Sequence, residues 1–137
     1  MKVKHLDAQF GSVISEIDLE NLTNEQSERI RSLWNERALL IFPEAYLSKQ
    51  GQDDFALVFG ELEFPRTAIS NVGKNGFIHK EPDDDVVKVI RGNEGWHHDS
   101  TYMPIQAKGA VFTAHKVPSK GGETGWADMR AAYDGLS

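Results

Sequence analysis

The sequence has 137 residues, 39% of them hydrophobic, which suits one compact domain burying about 70% of its unfolded surface. Its 15 basic and 21 acidic residues leave a net charge of −6, which argues against broad phosphate neutralisation on nucleic acid or a clamp on anionic lipid but leaves an anionic small substrate open. The absence of cysteine excludes disulfides, thiolate metal sites and a cysteine nucleophile, and with no signal peptide or membrane span visible a cytoplasmic protein without membrane or nucleic-acid partners is expected.

Loose alternation from Val3 through His5 to Phe10, and a clearer one from Ser12 to Leu19, predict two short strands broken at Gly11. The capping-box pattern from Thr23 to Gln26 opens a helix, and Ile30, Leu33, Trp34 and Arg37 lie near helical spacing, so it runs to about Glu36. The apolar run at 38–42, stopped by Pro43, suits a buried strand. A second helix starts after a Ser48 cap and carries Phe55, Val58 and Phe59 to a stop at Gly60. Residues 61–85 read as a long irregular excursion with one short strand near Phe77 to His79, a length that fits a binding lid. Strands are expected at 86–90, 95–99, 110–117 and 124–127, and Asp128 caps a last helix from Met129 to Leu136. Helices followed by many short strands give an α+β class with a sheet sandwich or barrel.

The densest group of potential ligands is Trp96-His97-His98-Asp99. On a strand, residues i and i+2 point to one face, so His97 and Asp99 can grip one metal ion while His98 points away. A neutral imidazole plus a carboxylate suits a divalent first-row metal and leaves coordination positions open for oxygen chemistry. A His-X-Asp triplet standing alone is more often a surface pair or a hydrogen-bonded core group, so its neighbours decide. From the residues alone, Thr124 is a β-branched residue starting a strand and Asn93 a turn residue beside Gly92. His115 reads as a strand histidine with a hydrogen-bond partner, and His5 and His79 have no ligand partners nearby in sequence. Asp83, Asp84 and Asp85 read as a solvated loop, Trp34 and Trp126 as core residues, and Gly121-Gly122 as a tight turn.

The segments NEGWHHDSTY at 93–102, VPSKGGET at 117–124 and WADMRAAYDGLS at 126–137, with ALLIFPE at 38–44 and FALVFGEL at 55–62, extend the pattern over nearly the whole chain. Together they resemble the taurine dioxygenase and 2,4-dichlorophenoxyacetate dioxygenase (TauD/TfdA) family of iron(II)- and 2-oxoglutarate-dependent oxygenases. The resemblance implies a double-stranded β-helix, or jelly roll, preceded by N-terminal helices. It implies Fe(II) held by His97 and Asp99 as two members of a 2-His-1-carboxylate triad, with 2-oxoglutarate and dioxygen as cosubstrates. It further implies that the Thr124 hydroxyl bonds a carboxylate of 2-oxoglutarate and that Asn93 lies near the primary substrate. Oxidative decarboxylation to succinate and carbon dioxide would accompany hydroxylation of a small, anionic organic molecule. The stretch 127–134 is closer to the phenoxyacetate-type branch than to the taurine type.

The family's third ligand is a distal histidine, followed by an arginine that binds 2-oxoglutarate. After Asp99 the only histidine here is His115, and nothing beyond it matches that distal motif. The chain is therefore expected to be the N-terminal half of a larger enzyme, truncated before its second half, with a partial gene preferred over a natural short homologue. On that footing the 137 residues alone should be marginally stable, hold iron poorly and be inactive; the full-length enzyme leaves room for a homo-oligomer. Two other readings stay open: a metal-free structural or binding β-domain, and a different mononuclear metalloenzyme of cupin-like or zinc-hydrolase type.

Overall fold

Gly11, at φ +88°, turns the chain between two short antiparallel strands, β1 (Lys2–His5) and β2 (Ser12–Ser15). The computed structural model describes residues 1–136, which fall into two compact units. The first comprises residues 1–62 and the stretch from Val111 onward, and the second is Glu63–Ala110.

In the first unit, β2 pairs on its other edge with β3 (Leu40–Ile41), parallel, giving the order β1-β2-β3. Alternation along β2 sends Ser12 and Ile14 into the interior, both fully buried. The crossover from β2 to β3 is helix α1 (Asn24–Arg37), opened by the capping box that the sequence announces. The Thr23 hydroxyl accepts from the Gln26 amide at 3.2 Å, and the Gln26 side chain accepts from the Thr23 amide at 2.9 Å. This satisfies two of the helix's otherwise orphaned N–H groups. One face of α1 buries Ile30 and Leu33 completely. Its end is set by Ala38 at φ +59°, and the Arg37 side chain reaches back to the Ala8 carbonyl at 2.9 Å.

Helix α2 (Lys49–Leu57) starts at Ser48, whose hydroxyl accepts from the Gly51 amide at 2.9 Å. The same Ser48 donates its amide and its hydroxyl to Glu20, at 3.0 and 2.7 Å. Those hydrogen bonds, the hydroxyl's first, hold the Glu20 carboxyl below its usual range. Leu19, Ile30, Leu47 and Phe55 form the core between these elements. Phe55 meets Phe42 and Phe59 edge-on at 5.3 and 5.5 Å, and Phe59 meets Trp34 at 5.1 Å, contacts worth about 0.5–1.5 kcal/mol each beyond burial. The later stretch joins this unit through Val111, whose carbonyl accepts from Gln52 at 2.9 Å. It ends in helix α4 (Met129–Asp134), capped by Asp128.

The second unit holds a tight hairpin, with a Val72–Ile78 bridge, and helix α3 (Asp85–Gly92).

Several expected elements differ. Residues 86–90 form a helix instead of a strand: Asp84 caps it through the Val86 amide at 2.9 Å, and only Val87 is buried. A local cap here outweighs the β propensity of four β-branched residues, Val86, Val87, Val89 and Ile90. Residues 95–99, 110–117 and 124–127 are not strands either; their backbones find no ladder partners among the described residues, and extended sequence becomes strand only through pairing. The strand expected at 38–42 shortens to Leu40–Ile41, and the last helix stops at Asp134. Trp34 is half-buried, but Trp126 is 49% exposed, resting beside Phe112 at 6.2 Å. The described residues thus form an α+β arrangement built on one three-stranded sheet.

Candidate metal centre

Helix α3 ends at Asn93, whose amide donates to the Ile90 carbonyl at 3.0 Å; the Glu94 amide then donates to Arg91 at 3.1 Å. The chain continues through Gly95 and an exposed Trp96 to His97, and the segment closes in a turn at Ser100, which has φ +59° and is buried. Turns, not a strand, bring His97 and Asp99 together: His97 Nε2 lies 3.1 Å from Asp99 Oδ1.

The hydrogen bonding around His97 fixes what that pair can do. Its Nδ1 is 2.7 Å from the Gly95 carbonyl oxygen, which can only accept, so Nδ1 carries a hydrogen and donates it. In the neutral ring, Nε2 then presents a lone pair directly to a carboxylate oxygen. Two lone pairs facing at this distance repel unless a positive charge stands between them. A proton meets that need, and accordingly the Gly95 carbonyl first, and the Asp99 carboxylate next, raise the His97 pKa above the usual imidazole range. A metal cation bound to both side chains would meet it as well. Two donors each ~2.1 Å from one ion and ~90° apart would lie ~3.0 Å from one another, close to the observed separation. The backbone carbonyl on the far nitrogen is also the partner that metal-bound histidines ordinarily have. The donor pair therefore fits a divalent metal and could supply two of its ligands. Both side chains are about half exposed, open to a third donor and to small molecules.

His98 engages the Asp99 backbone carbonyl, at 2.8 Å, and takes no part in the pair. Among the described residues no group of three or more His, Cys, Asp or Glu side chains could hold a metal. Asn93 is exposed in the same unit, four residues before His97. Thr124 belongs to the other unit and is exposed in a stretch without regular secondary structure. It follows a turn in which Gly121 and Gly122 adopt φ +80° and +75°, a conformation that needs glycine. His115 is exposed, and His5 bonds the buried Ser12 hydroxyl at 2.8 Å.

The sequence did not disclose the contact between His79 and Asp84, 2.7 Å between Nδ1 and Oδ2, which lowers the Asp84 pKa. An aspartate one residue before the helical 85–92 segment was the available signal for its capping role.

Over residues 2–137 the chain matches the family profile described as taurine catabolism dioxygenase TauD, TfdA family. It is 53% identical over 132 residues to an (S)-phenoxypropionate/alpha-ketoglutarate-dioxygenase of Sphingobium herbicidovorans, covering 96% of this chain and 46% of that protein. It is 34% identical over 143 residues to an alpha-ketoglutarate-dependent 2,4-dichlorophenoxyacetate dioxygenase of Cupriavidus pinatubonensis, covering 93% and 50% respectively. The crystal structure of AAD-2 in complex with Mn(II) and N-oxalylglycine matches with a TM-score of 0.87 at 34% identity, over 99% of this chain and 50% of that one. The chain spans about half the length of the curated relatives it matches.

Proposed function

Given that the chain belongs to the TauD/TfdA dioxygenase family, we propose that the whole protein is an Fe(II)- and 2-oxoglutarate-dependent dioxygenase acting on a small anionic aryloxy acid. His97 and Asp99 are its first two metal ligands. The observation that carries this is the 3.1 Å approach of His97 Nε2 to Asp99 Oδ1, with Nδ1 already satisfied by Gly95. Relatives that act on phenoxypropionate and dichlorophenoxyacetate support the substrate class, and N-oxalylglycine in the AAD-2 structure, an isostere of 2-oxoglutarate, supports the cosubstrate.

Bound iron supplies dioxygen activation, coupling decarboxylation of 2-oxoglutarate to succinate and carbon dioxide with insertion of one oxygen atom into a substrate C–H bond. The Gly95 carbonyl keeps the hydrogen on Nδ1 and so aims the Nε2 lone pair. Asp99 adds a negative charge that offsets the cation's. The Thr124 hydroxyl donates to a carboxylate of 2-oxoglutarate without adding charge. Asn93, exposed at the end of α3, offers an amide to the primary substrate. The third metal ligand and the arginine partner of 2-oxoglutarate lie in the half of the domain that relatives possess beyond this stretch. That half also completes the jelly roll to which β1, β2 and β3 contribute.

Succinate formation by the whole protein, assayed with phenoxyalkanoic acids, tests this reading. It should require added Fe(II), 2-oxoglutarate and dioxygen together; succinate formed without Fe(II), or none with all three, overturns it.

A further inference from the structure

We propose that His79 is a positioning residue: by binding Asp84 it fixes the first turn of α3, and thereby the place of Asn93 and of the His97–Asp99 pair beyond the helix's other end. The inference rests on the roles given above to Asn93, His97 and Asp99.

The second unit has little apolar interior, for Val87 and Ser100 are its only buried residues among those described. Its internal geometry therefore depends on hydrogen bonds more than on packing. Helix α3 has eight residues, about 12 Å of length, well short of the ~12–15 residues that a helix needs to persist unaided. Whether it forms depends on its ends.

At the start of α3, Asp84 uses its two oxygens for two tasks. Oδ1 accepts from the Val86 amide at 2.9 Å, capping the helix, while Oδ2 meets His79 Nδ1 at 2.7 Å. His79 is itself held in the hairpin: its amide donates to the Asn71 carbonyl at 2.8 Å, and the Asn71 side chain returns a bond to the His79 carbonyl at 3.0 Å. The Phe77 ring stands edge-on to the imidazole at 5.3 Å. On the other side, a Cβ placed on Gly73 would lie 3.1 Å from Nε2, so the ring is seated against hairpin backbone. The two partners are about a quarter exposed, in a unit whose polar side chains mostly face solvent. Hydrogen bonds thus run from the hairpin through His79, Asp84 and α3 to the turn at Asn93 and Glu94, and the backbone continues from there directly into Gly95, whose carbonyl holds His97.

The test uses three variants of the whole protein, read by amide hydrogen exchange and by steady-state kinetics. His79→Ala should speed exchange at residues 86–88 and 93–95 by about tenfold and leave α1 unchanged, and should raise the KM for the primary substrate about five- to tenfold with kcat within about twofold. His79→Asn, whose amide nitrogen occupies the position of Nδ1, should restore both. Asp84→Asn keeps the cap and loses the ionic partner, so it should show the same pattern at smaller amplitude. Wild-type exchange at 93–95 in His79→Ala and Asp84→Asn overturns the proposal. So does faster exchange spread equally over α1, which marks general destabilisation. If the wild-type protein lacks turnover dependent on 2-oxoglutarate, the functional reading falls, and the exchange data decide the role of His79 without it.

Discussion

His97 Nε2 and Asp99 Oδ1 face each other at 3.1 Å with the histidine's other nitrogen committed to the Gly95 carbonyl, an arrangement that a shared proton satisfies and that a metal ion bound to both side chains could replace. In the whole protein, His97→Ala and Asp99→Ala should each weaken Fe(II) binding more than about a hundredfold, beyond what outer partners contribute. His98→Ala should change it little, since that ring bonds only a backbone carbonyl. Equilibrium dialysis with Fe(II) or Mn(II) makes the comparison. The 137-residue chain by itself, offering two ligands, should bind either ion weakly.

Thr124 has one hydroxyl to give to 2-oxoglutarate. Thr124→Val preserves the shape and removes the donor, so the KM for 2-oxoglutarate should rise by about tenfold or more, the equivalent of ~1.5–3 kcal/mol for a hydrogen bond to a charged group. Thr124→Ser should recover most of it. Equal KM values for the valine and wild-type proteins would remove Thr124 from the site.

The Glu20 carboxylate joins the segment after β2 to the start of α2 through Ser48. Its folded pKa lies below the reference 4.5, so between the two values the unfolded chain binds more protons and stability rises with pH. The contribution is complete above pH 4.5 and disappears as pH falls through the depressed folded value. Urea midpoints measured from pH 6 down to pH 3 should show it, and Glu20→Gln should flatten that part of the profile. Ser48→Ala removes the cap as well and should cost about 1–2 kcal/mol at neutral pH.

Phe55 is 4% exposed and sits between two other rings. Phe55→Ala should cost about 3–5 kcal/mol, a large part of any small domain's stability, and should lower the thermal midpoint followed by circular dichroism far more than Phe77→Ala, whose ring is 58% exposed.

Helices α1 and α2 were legible in the sequence because their signals are local: a capping box at Thr23 and Gln26, a serine at 48, and apolar residues at helical spacing. The segments at 110–117 and 124–127 were misread because strand composition specifies only half of a pair, and they pair with no strand among the described residues. At 86–90 a single aspartate cap reversed the reading that valine and isoleucine invited. The spacing of His97 and Asp99 correctly anticipated that their side chains meet, but on the wrong backbone, since turns produce the convergence expected of a strand. The Gly95 carbonyl that orients His97, and the link from His79 to Asp84, depend on loop conformation and carry no periodic trace.

All four residues at the centre of the apolar cluster, Leu19, Ile30, Leu47 and Phe55, precede position 62, as do the sheet and the first two helices. On the ribosome, at about 5–20 residues per second, this nucleus is synthesised roughly 2–7 seconds before the segment that carries His97 and Asp99. The four residues of the cluster can therefore meet around a hairpin and one short crossover using only chain made before Glu63.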